Sequence, residues 1–169
     1  MDLTELQEKL FATCDTAKDG KEIVSLIEQG ANIHGVDDYG LTPLMRVALF
    51  NSSAKVVTTL VKAGSDVFYR EPQYKSTALQ LASNHNQNAG IIEALVAAGS
   101  DLFDVNYLGE TALIMAVNSG NSTKVISALI NCGSDVNARD YQDKSALDYA
   151  LQVKRTYVVK ILKAAGAIG

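Results

Sequence analysis

The chain has 169 residues, of which 47% are hydrophobic and 20% charged, with a formal net charge of −4, a composition that fits one folded domain and excludes a disordered chain. No apolar run approaches the roughly 18 residues that cross a bilayer, and the acidic start lacks the basic and apolar regions of a signal peptide. The expectation is a cytoplasmic protein with too little positive charge for a nucleic-acid or membrane surface.

Residues 3–29 read as two helices, with Leu3, Leu6, Leu10 and Phe11 on one face, Ile23, Val24, Leu26 and Ile27 on the next, and Glu5, Glu8 and Glu22 turned outward. The phrase EQGANI ends the second helix at Gly30. GLTPLMRVA then opens a third helix, with the Thr42 hydroxyl as N-cap and Pro43 at the first helical position, where its missing N–H costs nothing. A polar break, NSSAK, leads into a second apolar helix that stops at Gly64.

The same order recurs three times. KSTALQLAS, NHNQNAG and Gly99 form one unit; GETALIMAV, NSGNSTK and Gly133 form the next; DKSALDYAL and Gly166 form the last. In the third of these four units Leu113, Ala116 and Val117 give the first helix a narrow apolar face, and Val125, Ile126, Leu129 and Ile130 do so for the second. Lys154, Arg155, Lys160 and Lys163 surround Val158, Ile161 and Leu162 at the C-terminal end.

Two independent landmarks keep one period. Thr42, Thr77, Thr111 and Ser145 are spaced by 35, 34 and 34 residues, and Gly30, Gly64, Gly99, Gly133 and Gly166 by 34, 35, 34 and 33. A period of this size marks a stack of small units. A helix of about a dozen residues is marginal alone, and one helix pair cannot bury both of its apolar faces, so each pair must borrow its core from its neighbours. The expected fold is an all-α solenoid.

These phrases resemble the ankyrin repeat, whose signature is G-x-T-P-L-H-x-A-A near the first helix and G-A-D-V-N after the second. The resemblance covers about residues 22–167 and implies helix-turn-helix units joined by β-hairpin-like loops. It places a single domain over 1–169, with an N-terminal capping repeat at 1–37, full repeats at 38–70, 71–105 and 106–140, and a C-terminal capping repeat at 141–169. Departures are clear. Met45, Gln80, Ile114 and Asp148 stand at the family's histidine position, removing the hydrogen bonding that histidine provides. His34, Phe68, Phe103 and Asn137 stand at its hairpin asparagine. The first three hydroxyl-to-glycine intervals are 22 residues and the last 21, which places the additional residue between the helices, and the connector FYREPQYKS is one residue longer than its siblings.

Little in the chain suggests catalysis. His34 and His85 fall on opposite edges of the stack, without a Cys, Ser or carboxylate in a catalytic arrangement. Asp37 with Asp38, and Asp101 with Asp104, read as turn and capping residues. Cys14 and Cys132 lie far apart, without Cys or His companions, and read as two buried thiols. GxxxxGK[ST], GxSxG and HExxH are absent. The expectation is a non-enzymatic protein with no cofactor and no metal.

The charge is uneven: residues 1–40 hold nine acids against three bases, and residues 141–169 two acids against five bases. Tyr39, Tyr74, Tyr107 and Tyr141 recur just before the hydroxyl landmarks, at the hairpin tips that the resemblance aligns along one edge, and Tyr is a frequent interface anchor. Leu41, Leu49 and Phe50 lie beside them, and Arg70, Glu110, Asn118 and Arg139 add polar specificity. Phe68 and Phe103 fit either a contact surface or packing beneath the hairpins. The resemblance implies a monomeric module that binds another protein through a concave face of hairpin tips and first helices; an inhibitor or regulatory subunit that occludes one enzyme is the alternative.

Overall fold

The computed structural model describes residues 2–169, which form ten helices and, among the described residues, no strand. They are α1 (Leu3–Thr16), α2 (Lys21–Glu28), α3 (Pro43–Phe50), α4 (Ala54–Lys62), α5 (Ala78–His85), α6 (Ala89–Ala97), α7 (Ala112–Asn118), α8 (Thr123–Asn131), α9 (Ala146–Gln152) and α10 (Thr156–Ala164). Odd-numbered helices stack in one layer, α1 on α3 on α5 on α7 on α9, and α2, α4, α6 and α8 in a second. Each odd helix also packs on the even helix that follows it. This is the solenoid that the period requires.

The helix ends have the chemistry read from the sequence. Thr42, Thr77, Thr111 and Ser145 accept the backbone N–H of Met45, Gln80, Ile114 and Asp148, three residues on. Gly30, Gly64, Gly99, Gly133 and Gly166 have φ between 95° and 110°, the left-handed geometry that ends a helix. The core runs without interruption through both layers, from Leu6 and Leu10 in α1 through Leu79, Leu113 and Leu147 to Val158 and Leu162 in α10. Three details differ from expectation. Leu3 is 72% exposed instead of joining the apolar face of α1. Cys132 is only half-buried, whereas Cys14 is fully buried and its thiol is pushed up to about 12, chiefly by that burial. The additional residue lies between the helices only in the α7–α8 pair; in the two preceding units it lengthens α3 and α5 to eight residues against seven in α9.

At the family's histidine position the hydrogen bonding is not wholly lost. Gln80 closes a capping box with Thr77 and also donates at 2.9 Å to the Asp104 carbonyl, in the connector that follows, and at 3.3 Å to the Glu110 carbonyl, in the next repeat. Asp148 closes a second box with Ser145, and its carboxyl is held below the usual range by the Ser145 N–H and hydroxyl.

A second ladder lies in the polar breaks. Buried Asn51 donates to the Cys14 and Ala17 carbonyls at 2.7 and 3.0 Å, Asn86 to Ala48 and Asn51 at 2.9 and 2.8 Å, and Asn121 to Ser83 and Asn86 at 2.8 and 3.0 Å. Arg155 takes the next rung, donating to Val117 and Asn121 at 3.2 and 2.5 Å. Each rung bonds two carbonyls where the preceding first helix ends, so neighbouring repeats are joined by hydrogen bonds as well as apolar packing.

Candidate partner-binding groove

Each hairpin is closed by a backbone hydrogen bond from its first residue, Asp37 to Leu41, Glu71 to Ser76, Asn106 to Glu110 and Asp140 to Lys144, at 3.0 to 3.1 Å, and by a second that returns to that residue's carbonyl from Gly40, Lys75, Gly109 or Asp143. The side chain of its first residue holds the tip. Asp37 accepts the N–H of Tyr39 and Leu41, Asn106 those of Leu108 and Glu110, and Asp140 those of Gln142 and Lys144. The second hairpin spans one more residue, and here the acid is the longer Glu71, which accepts from Gln73, Tyr74 and Ser76. One added methylene bridges one added peptide.

The tips are also tied to one another. Tyr107 donates its N–H to the Tyr74 carbonyl at 2.9 Å, Tyr141 to Leu108 at 3.0 Å, and the Tyr74 and Tyr107 rings lie 5.6 Å apart. The approach is close enough that a Cβ on Gly109, whose φ is 79°, would sit 2.5 Å from Cδ1 of Tyr141. The equivalent positions Lys75 and Asp143 keep the left-handed conformation, with φ of 57° and 61°, despite their side chains.

Between the tips and the ends of α3, α5 and α7 runs a groove of about 800 Å³. The fourth residue after each helix N-cap decides its floor. In the first full repeat this is Arg46, which bonds Asp37 at 2.8 Å, pairs with Asp15 and lies near the rings of Phe11 and Phe50. The Asp15 hydrogen bond raises the Arg46 pKa, overcoming the burial that opposes it. In the last repeat it is Tyr149, whose hydroxyl donates to Asp140 at 2.6 Å. Burial first, then Asp140, pushes that hydroxyl up to about 12. Burial opposes the Asp140 charge, but the Tyr149 hydroxyl and the Lys144 and Gln142 amides outweigh it and hold the carboxyl below its ordinary value. The two middle repeats place Leu81 and Met115 there, and these two line the groove as an apolar floor, whereas Arg46 and Tyr149 lie outside it.

Of the residues singled out in the sequence, Tyr39, Leu41, Leu49, Phe50, Tyr74, Glu110 and Asn118 line this groove. Tyr39, Phe50 and Tyr74 are exposed. Tyr107 and Tyr141 are exposed on neighbouring tips. Glu110 is buried, its carboxylate accepting from Asn106 and Asn118 at 2.9 and 3.0 Å. Arg70 reaches across to the next connector, donating to the Val105 carbonyl at 2.7 Å and pairing with Asp104, while Arg139 bonds its own hairpin through the Asp143 carbonyl. Phe68 and Phe103 are 60% and 65% exposed and do not pack beneath the hairpins. Leu81, Leu108 and Met115 also line the groove and were not singled out: Leu81 and Met115 read as ordinary core at helical spacing, and Leu108 as a loop residue; His85, set aside in the sequence as a non-catalytic edge residue, lines it too.

No helix among the described residues is long and apolar enough to cross a membrane, and no three of their His, Cys, Asp or Glu side chains gather where they could hold a metal ion. A comparison with curated proteins returned no match. The family model for ankyrin repeats, in three copies, matches residues 12–106 and 81–168, nearly the whole chain. With capped helix pairs, glycine stops and linked hairpins in register, the chain belongs to the ankyrin repeat family, whose members are generally non-catalytic protein–protein interaction modules.

Proposed function

We propose that this protein is a non-catalytic recognition module that binds a partner protein in the groove between its hairpin tips and first helices. One observation carries the reading: an apolar floor of Leu81, Leu108 and Met115, walled by Tyr39, Phe50 and Tyr74, lies open along three consecutive repeats. Large, stiff aromatic side chains with a polar end are efficient interface anchors. The hydrogen bonds that lock each tip to itself, and the last three tips to one another, fix the surface before a partner arrives, so little conformational freedom is lost on binding. Tyr107, beside Tyr74, extends the wall; Arg70 and Arg139 hold the connectors that present it. The protein acts as a monomer, and its two free cysteines suit the reducing cytoplasm.

Combined replacement Tyr39→Ala, Tyr74→Ala and Tyr107→Ala tests the proposal. The three rings are mostly solvent-facing, so the melting curve should shift by only a few degrees while partner binding is lost. Partner binding at wild-type strength would remove the groove from consideration.

A further inference from the structure

We infer that the segment received by this groove carries a basic side chain, Lys or Arg, which pairs with Glu110 while its apolar neighbours cover Leu81, Leu108 and Met115. The inference rests on the groove being the binding surface and adds the chemistry of what enters it. Two carboxylates, Glu71 and Glu110, line the groove, and no Lys or Arg does. Among the described residues the other buried or half-buried acids, Asp15, Asp37, Asp104 and Asp148, each have an Arg within 4 Å, and Asp140 is held by a hydroxyl and backbone N–H groups. Glu71 is held likewise, by three backbone N–H groups that occupy both oxygens.

Glu110 differs. It is 7% exposed, and its two oxygens accept one proton each, from the neutral amides of Asn106 and Asn118. A carboxylate offers about four acceptor positions, so half are unused, and a buried anion without a counter-charge is one that a cation stabilises strongly. The Ser76 hydroxyl, at the equivalent position one repeat earlier and 1% exposed, has no partner in the chain and also borders the groove. Ser65, Ser100 and Ser134 share the unpartnered hydroxyl but do not line it. The groove is thus negative and apolar, with polar atoms unspent along one side. An acidic side chain brought there would meet two carboxylates and no compensation.

The probe is a library of random 16-residue peptides panned on the full chain, with selected peptides resynthesised for titration. The expected peptides carry one Lys or Arg among Leu, Met or aromatic residues and lose binding to a Leu81→Arg variant whose cooperative melting shows that it is folded; Arg46, which holds the equivalent place one repeat earlier, is paired there with Asp15 and Asp37. Replacing the selected Lys or Arg by norleucine should weaken binding about 30-fold, and much less in Glu110→Gln, because the pair is then already broken. Peptides that are lost on Leu81→Arg but lack a basic residue, or tolerate norleucine, leave the groove as the binding surface and overturn the Glu110 pairing. Peptides indifferent to Leu81→Arg overturn the groove itself and the pairing with it. The norleucine comparison is made on the unaltered protein, so it decides the question even if Glu110→Gln perturbs folding.

Discussion

The side-chain amide of Asn121 donates to the backbone carbonyl of Asn86 at 3.0 Å, joining two repeats at the point where each first helix ends. Asn86 in turn donates to Asn51 at 2.8 Å, and Arg155 to Asn121 at 2.5 Å, so four residues spaced by 35, 35 and 34 form one chain of bonds. Removing a rung strips two buried hydrogen bonds and orphans two carbonyls. Asn86→Ala should cost about 2–4 kcal/mol in denaturant unfolding. Asn86→Asp, which has no donor and sets a charge against two carbonyls, should cost at least as much. A loss below about 1 kcal/mol would show that the ladder contributes little to the joining of repeats.

Glu71 and its longer loop form a matched pair. The carboxylate reaches three backbone N–H groups of the tip, at 2.6 to 3.0 Å. Glu71→Asp alone is too short for this loop and should lose about 1–2 kcal/mol. Deleting Gln73 as well returns the loop to the length of its siblings and should recover most of the loss. Additive losses in equilibrium unfolding would rule out the pairing.

Lys75 sits at φ 57°, where the equivalent Gly40 and Gly109 sit at 75° and 79°. A side chain in the left-handed region costs about 1–2 kcal/mol, partly offset by the greater freedom of glycine in the unfolded chain. Lys75→Gly should raise stability by about 0.5–1 kcal/mol. Gly109→Ala should lower it by about 2 kcal/mol or more, since its Cβ would meet the Tyr141 ring at 2.5 Å. Calorimetric melting of both variants gives the two signs.

Tyr149 and Asp140 set opposite pH limits. The folded Tyr149 hydroxyl is raised from 10.0 to about 12, so its contribution is complete below pH 10 and is lost as pH climbs toward 12. The size is about 2–3 kcal/mol, and Tyr149→Phe should abolish this alkaline loss while weakening the protein at neutral pH. Asp140 and Asp148 are lowered from 3.8, so their contribution is present above that value and fades as pH falls through the folded values. Asp140→Asn should flatten the acid limb. Unfolding free energies measured against pH for the three proteins separate the two limits.

The architecture was legible because capping is local chemistry. A hydroxyl placed to accept the third N–H, and a glycine free to take positive φ, act within one turn of chain, so Thr77 and Gly99 declare a helix's ends without reference to the fold. The Asn ladder was equally periodic, but Asn51, Asn86 and Asn121 stand in polar breaks, where asparagine suggests solvent, and the Arg155 that continues them is a different residue type. Its partners lie 34 to 38 residues away, which only stacking brings near. The groove was half legible. Exposed tyrosines at loop tips could be read directly, but whether Leu81 and Met115 face the hairpins or the neighbouring helix depends on the rotation of α5 and α7 within the layer. Arg70 and Arg139 have the charge of contact residues, yet each is engaged by its own or the neighbouring hairpin's backbone carbonyls and carboxylates.

The central claim, that the face between tips and first helices is the one a partner touches, is tested most directly by a photo-crosslinking amino acid placed at Tyr74 or Leu108 in the groove and, separately, at Lys124 on the exposed surface of α8. One defined partner adduct is expected from each groove position and none from Lys124. An adduct formed from Lys124, with neither groove position reacting, would contradict the claim.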